Sequence, residues 1–451
     1  MTTARGARGD VVAVPQDLRA TRGDGTGVSR HETGDAVTWL TLYLLVLYAV
    51  PSRLVVGPLG SAGAPSMLLG ILSLGLWVSM LVTTARPGTF AVASPTKWAV
   101  AVFVACVGVS YALTMSQPVS ADEVSPADVA LLALASWVGT MLLTCDGVRS
   151  RRRLDALVWR FAVAGGLLAL VGLAQFLSGR ALVDLISVPG LTSVADAALF
   201  SRNGLVRPSG TAIHPIEYGA LLTVILPLAL HVALRRTDLN RWVRWAPALA
   251  ILAAVAVSSS RSAYLGAIIG VVISAVAWGP KARKVAAIVL GAGLLLVAIA
   301  IPRLLNSIVG LFAGADEDPS IASRTDSFGF AWHFIVDSPV FGRGLGTFLP
   351  KYRIFDNQYL GMLVTLGIAG TAAFVAIGVV AISQLLRVRR TARDADTAPL
   401  AVSLVGAVAA GFASLAFFDA FAFPMTMGTI FLVLGMAGAL ARLTATAERK
   451  W

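Results

Sequence analysis

Charge is scarce in this chain. Only 13% of its 451 residues are Asp, Glu, Lys or Arg, about half the share found in a soluble domain, which excludes a water-covered globular surface. Cysteine is scarcer still. Cys106 lies within one apolar stretch and Cys145 at the end of another, excluding a disulfide framework or a Cys-ligated metal. No phosphate-binding P-loop and no nucleophile elbow occurs. The segment GRGLG at 342–346 lacks the third glycine and the preceding strand of a dinucleotide fingerprint, so it reads as a tight turn. Without an ATPase segment, the energy for any reaction must come from the substrate or from a gradient. No short cleavable apolar segment precedes the first long apolar run, so that run reads as an uncleaved signal anchor.

What the chain has in abundance is hydrocarbon. Hydrophobic residues make up 57% of it, with a mean hydropathy of +0.79. Apolar stretches of helix-spanning length recur at 36–56, 65–83, 97–114, 126–145, 154–178, 215–234, 244–260, 262–278, 284–301, 358–386, 399–418 and 424–442. The expected fold is an all-α polytopic integral membrane protein of about twelve transmembrane helices. Residues 1–35 read as a disordered basic cytoplasmic tail, 36–442 as the membrane domain, and 443–451 as a second cytoplasmic tail. Two longer polar connections, 179–214 and 302–357, interrupt the membrane domain. The second precedes the tenth helix.

Basic residues follow every second connection. Arg149, Arg151, Arg152, Arg153, Arg235, Arg236, Lys281, Arg283, Lys284, Arg387, Arg389 and Arg390 share one side with the N-terminal tail. By the positive-inside rule both termini are cytoplasmic and the two long connections lie outside. The net charge of +12 is therefore a topology signal. Nucleic-acid binding loses its support, because the charges form no patch.

One arginine interrupts VAVSSSRSAYLGAIIG at 255–270. Helix from Arg244 to Arg261 covers about 25 Å and from Arg261 to Lys281 about 30 Å, so two passes fit and Arg261 sits at the outer turn between them. Helices six, eight and ten each run inward from the outer side. Each starts beside a polar cluster: Arg207 to Glu217, Ser258 to Ser262, and Asp356 to Gln358. Unpaired amides and the macrodipole at such ends favour anions. With Arg207, Arg261 and Arg324 nearby, a convergence of these ends would suit a diphosphate.

Four stretches carry a family resemblance: RPSGTAIHPIEYG (207–219), SSSRSAYLG (258–266), SRTDSFGFAWHFIVDSPVFGRGLGTF (323–348) and DNQYLGMLVTLGIAG (356–370). Together, with about twelve helices and a long outer loop before the tenth, they resemble the O-antigen ligase and polymerase superfamily of bacterial membrane glycosyltransferases. The resemblance implies a GT-C-like enzyme of the cytoplasmic (inner) membrane. Its donor would be a glycan on a polyprenyl diphosphate such as undecaprenyl diphosphate, and its acceptor a glycan or lipid hydroxyl at the outer face. Other envelope polysaccharide assembly proteins and membrane lipids are the implied partners. No nucleotide sugar, metal or cofactor is implied. Ligases of this superfamily typically place His before the Asn where this chain has Asp356, a departure that favours a polymerase.

The residues suit that chemistry. An arginine fork meets phosphate oxygens bidentately, which makes Arg207, Arg261 and Arg324, with His214, candidates for holding the diphosphate. Charge develops on the departing oxygen, so Arg261 is also a catalytic candidate. The acceptor hydroxyl needs a proton acceptor on the opposite side of the anomeric carbon. Asp356 is the first candidate and Glu217 the second. Each has a plainer reading beside it. Arg261 can cap a turn or reach lipid headgroups. Asp356 and His214 can cap helices, and Arg207 can pair with Glu217. Arg324 lies on an amphipathic stretch with Phe328, Trp332 and Ile335 that suits the membrane surface. Asp316, Glu317 and Asp318 read as a solvated acidic run. Asp394 and Asp396 imitate a nucleotide-sugar motif in a loop too short for such a domain.

A ligase that moves finished polymer to a lipid, protein or wall acceptor is the close alternative. A polysaccharide or lipid transporter is the alternative of another class, and it would carry matching charges and breaks in two halves. Arg160 and Pro227 have no evident counterparts, which favours an enzyme.

Overall fold

The computed structural model describes residues 2, 35–83, 94–194, 200–202, 204–300 and 319–448. Helices follow one another through them: α1 (Ala36–Ala49), α2 (Pro65–Thr83), α3 (Pro95–Met115), α4 (Ala121–Gly147), α5 (Arg151–Ser178), α6 (Pro215–Arg235), α7 (Arg241–Val257), α8 (Arg261–Ala275), α9 (Pro280–Ala300), α10 (Pro319–Asp337), α11 (Gln358–Thr391), α12 (Thr397–Ser414) and α13 (Pro424–Glu448). Proline opens α2, α3, α6, α9, α10 and α13, at the one helical position where its missing N–H costs nothing. Of the expected tail at 1–35 only residues 2 and 35 are described, and the acidic run Asp316–Asp318 and residues 449–451 lie outside the described residues.

Eight helices among the described residues are long and apolar enough to cross a membrane: α2 to α6 and α11 to α13, the α12 span being counted to Phe417. The chain is a polytopic helical membrane protein. Within it the helices are unequal. The apolar windows of α6 and α13 are each 94% buried, whereas those of α2 and α3 are 17% and 22% buried. Thus α6 and α13 form the centre, and α2 and α3 give most of their surface to lipid. Arg160, inside α5, donates to Thr41 Oγ1 of α1 at 2.7 Å.

The first expected span, 36–56, is shorter as a helix. α1 ends at Ala49, just before Pro51, and Leu54–Val56 form a short strand, β1, because proline cannot donate into the helix and β-branched Val55 and Val56 favour extended backbone. β1 pairs antiparallel with β2 (Leu191–Ser193), and β3 (Phe200–Arg202) pairs with β4 (Leu205–Arg207). These two ribbons give the 179–214 connection a frame that helical periodicity does not foretell.

α11 differs more. Its 34 residues would reach about 51 Å, well beyond the ~30 Å of hydrocarbon. It breaks at Gly367, with φ 62° and ψ −165°. A strap formed by residues 338–346 docks on the break. Arg343 N donates to Val364 O at 3.0 Å and Gly344 N to Thr365 O at 2.8 Å, while Ile368 N donates to Pro339 O at 2.9 Å and Ala369 N to Val340 O at 3.0 Å. The amides and carbonyls freed by the break are thereby paired, as low-dielectric surroundings demand. Gly342 has φ 68° and a Cβ there would lie 2.4 Å from Leu366 N, so the GRGLG turn needs its glycine for both conformation and space. From α3, Ser110 Oγ donates to Phe341 O at 2.7 Å and Thr114 Oγ1 to Arg343 O at 2.9 Å. α10, the connection after the strap and the first turns of α11 share a small apolar core of their own, Ala331, Phe355, Leu360 and Val364, flanked by Phe330, Phe334 and Phe348.

Candidate functional site

The RPSGTAIHPIE segment is built from the inside outward. Gln175, near the end of α5 and 2% exposed, clamps the turn before α6. Its Oε1 accepts from Ser209 N at 3.2 Å and Gly210 N at 2.8 Å, and its Nε2 donates to Gly210 O at 2.9 Å. The clamp sets Arg207 on one side of the turn and His214 on the other. His214 Nδ1 caps α6 by accepting from Ile216 N at 3.1 Å, which realises the capping alternative. Its ring lies edge-on to Phe200, with centroids 4.5 Å apart, and 6.2 Å from Phe423. Burial, helped by the Arg207 charge, pushes its pKa down to about 4, so at neutral pH the ring is uncharged and free to accept.

Glu217 is fully buried. One carboxylate oxygen accepts from Ile213 N at 3.0 Å and the other from Met425 N at 2.9 Å. The first bond reaches back across the start of α6 in the manner of a capping box. The second satisfies an amide in the first turn of α13. Glu217 thus joins the start of α6 to the start of α13. The ion pair with Arg207 considered above is not among the contacts of the Glu217 carboxylate; Arg207 Nε donates to Ser258 O at 3.3 Å.

Ser258 ends α7, and the next residue, Ser259, has φ 48°. It is the one non-glycine residue with positive φ among the described residues, and it is fully buried. This bend delivers Arg261, half-buried, as the first residue of α8. α8 starts close beside α6: a Cβ on Gly219 would lie 2.9 Å from the Ala263 Cβ. Arg207, His214, Glu217 and Arg261 are therefore gathered where α6, α8 and α13 begin.

The fourth helix start belongs to α11. Asn357 caps it, its Oδ1 accepting from Tyr359 N at 3.0 Å and Leu360 N at 3.3 Å. The capping role considered for Asp356 is filled by its neighbour. Gln358 Oε1 accepts from Phe421 N at 2.8 Å, which ties α11 to the 415–423 connection between α12 and α13. That connection carries Asp419, which the sequence reading did not single out. Burial first, the charge of nearby Asp356 second, pushes the Asp419 carboxyl up to about 6. The signal in the sequence was its isolation: between Thr397 and Ala441 no other residue is charged.

Asp419 opens on a cavity of about 280 Å³ whose wall includes Trp137, Phe348, Arg353, Gln358, Thr365 and Phe421. A mostly apolar hollow with a few convergent polar groups is the usual form of a small-molecule site. Arg353 Nε donates to Ser327 Oγ at 3.0 Å and its guanidinium lies 5.7 Å from the Phe330 ring centre. Arg324 is on α10, with its side chain outside the described residues. Phe328 and Trp332 on the same helix are exposed, whereas Ala331 is buried. At the other end of the bundle, Asp394 Oδ1 accepts from Asp396 N and Thr397 N, and Asp396 pairs with Arg235 at 2.8 Å. Both carboxylates thus serve the α12 start. Among the described residues no group of three His, Cys, Asp or Glu side chains could hold a metal ion.

Residues 246–375 match the family model described as O-antigen ligase. The matched span runs from α7 to the middle of α11 and so contains Arg261, the strap and Asp356. It supports the O-antigen ligase and polymerase superfamily, and with it glycan transfer in envelope polysaccharide biosynthesis. No curated protein matches the chain.

Proposed function

We propose that the protein is an inverting glycosyltransferase that polymerises polyprenyl-diphosphate-linked oligosaccharide repeats at the outer face of the cytoplasmic membrane, with about twelve helices crossing it. The observation that carries this reading is the linkage of four helix starts, those of α6, α8, α11 and α13, with Arg207 and Arg261 beside the first two and Asp356 and Asp419 ahead of the last two. Helix starts and guanidinium groups favour a diphosphate. As the anomeric carbon–oxygen bond to the diphosphate breaks, Arg207 and Arg261 stabilise the charge left on the departing oxygen. The acceptor oxygen forms the new bond from the opposite face and passes its proton to Asp356. Asp419, whose own carboxyl is raised by burial and then by the Asp356 charge, supports Asp356 in this scheme. Glu217, with both oxygens engaged by backbone amides, holds α6 against α13 in this scheme, and neutral His214 keeps the α6 start capped.

The ligase reading is favoured by the matched family, which is that of O-antigen ligases. The test separating the two is the glycolipid profile of a deletion strain. Accumulated single lipid-linked repeats are expected for a polymerase, and accumulated long lipid-linked polymer would make it a ligase. Orientation has its own test. A cysteine at exposed Ile354 should react with an impermeant maleimide in intact cells, and one at exposed Thr391 only after lysis; labelling at 391 in sealed cells would invert the topology.

A further inference from the structure

A second cavity, of about 500 Å³, lies across the strap from the first. Its wall is Leu113, Thr114 and Gln117 at the end of α3, Glu123 in the first turn of α4, Phe334 and Asp337 at the end of α10, and the strap from Ser338 to Arg343. The volume falls within the roughly 300–1,000 Å³ range of small-molecule sites.

Its lining differs in charge from the surroundings of Arg261. α3 and α10 finish here and α4 begins, and the wall carries the carboxylates of Glu123 and Asp337. Arg343 is the one cation in the wall, and it is committed: its Nη2 donates to Glu123 Oε1 at 2.7 Å, and the Tyr352 hydroxyl donates to the same oxygen at 2.6 Å. Asp337 and Gln117 are exposed to the cavity side of the molecule. A phosphate would meet the carboxylates of Glu123 and Asp337. A metal ion would find too few ligands among the described residues. A ligand rich in hydroxyl donors, with apolar ring faces for Phe334 and Val340, matches the acceptors present.

We infer that this cavity is a holding subsite for uncharged sugar residues of the glycan, separate from the place where its diphosphate is bound. The inference rests on the glycan-transfer reading and deepens it. Continuity supports it: Arg343 lines this cavity and Leu345 the smaller one, as do Glu123 and Pro126 one turn apart on α4. A glycan chain can run from the Asp356–Asp419 side past the strap into the larger space.

The test uses the full-length protein in nanodiscs and the reducing oligosaccharide released by mild acid from the producing cells' own lipid-linked donor. Calorimetric titration should show binding that inorganic pyrophosphate does not displace. The double variant Asp337→Ala, Gln117→Ala and the filling variant Val340→Trp should each weaken that binding at least tenfold. In transfer assays they should raise the KM for the lipid-linked donor and leave kcat within about twofold. No binding to the wild type, unchanged binding in all variants, or displacement by pyrophosphate would each overturn the subsite. Loss of transfer on Arg261→Ala tests the underlying reading by itself, since that change leaves this cavity intact.

Discussion

Two polar regions of one molecule differ in the charge of the side chains they gather. Around Arg261 the chain assembles helix starts, with α6 and α13 bridged by Glu217 and α8 packed against α6 at Gly219. Around Asp337 it brings the ends of α3 and α10 beside the start of α4, and the one cation in that wall is paired with Glu123. The contrast lies in the side chains: arginines gather in one region and carboxylates in the other, which suits a ligand charged at one end and rich in hydroxyl donors at the other.

The largest effect should come from the anion side. Replacing Arg261 by Ala should lower transfer by about 10²- to 10³-fold, the usual loss when one donor to a developing oxyanion is removed. Arg261→Lys should recover little, because a point charge lacks the fork. Purified variants assayed with lipid-linked donor, with melting curves alongside, would decide it. Near-normal transfer by a folded alanine variant would return Arg261 to a turn-capping role and erase the contrast.

The carboxylate pair comes next. Because Asn357 is the cap of α11, Asp356 can be changed without disturbing the helix start. Asp356→Asn should cost transfer about 10²- to 10⁴-fold at unchanged melting temperature, whereas Asn357→Ala should cost about 1 kcal/mol of stability and leave chemistry nearly alone. An active Asp356→Asn enzyme would remove Asp356 from the mechanism.

Asp419 should behave differently again. Its carboxyl is raised from the ordinary 3.8 to about 6, so the folded state binds a proton more tightly than the unfolded one. Stability is then greatest below about pH 4 and falls as pH climbs towards 6, a cost of up to about 3 kcal/mol that persists at neutral pH. Asp419→Asn should raise the melting temperature at pH 7 and not at pH 4. Transfer should drop by about tenfold, equivalent to 1.4 kcal/mol in the barrier. Wild-type transfer should decline as the pH falls through about 6. A pH-independent melting difference would detach Asp419 from the pair.

How far the sequence foretold this depends on the kind of signal. Apolar runs and basic connections marked a helix near every expected span, since spanning length and charge asymmetry are local properties. Arg207, His214 and Arg261 could be placed at helix starts from Pro208, Pro215 and the serine run. Three features escaped. Asp356 was taken as a possible cap because Asp and Asn are nearly equal there, and only geometry gives the place to Asn357. Asp419 hides in an apolar connection with no motif, and its meaning appears when α11 packs beside it. The break at Gly367 needs the strap, which is distant in sequence from Ser110 and Thr114, and pairings of that kind have no periodicity to read.

The smallest effect probes how each region tolerates strained backbone. In and beside the strap, positive φ falls on Gly342, Gly344, Gly346 and Gly367, where glycine carries it without steric cost. On the arginine side it falls on Gly204 and Gly210 and also on Ser259, where a Cβ in the left-handed region costs about 1–2 kcal/mol. Ser259→Gly should therefore raise stability by up to about 1 kcal/mol, part of the relief being lost to greater freedom of the unfolded chain. If the bend only delivers Arg261, transfer should stay within about twofold, because a glycine holds the same φ. A clear gain in melting temperature accompanied by a tenfold loss of transfer would mean that the Ser259 side chain itself, and not just the bend, shapes the anion side.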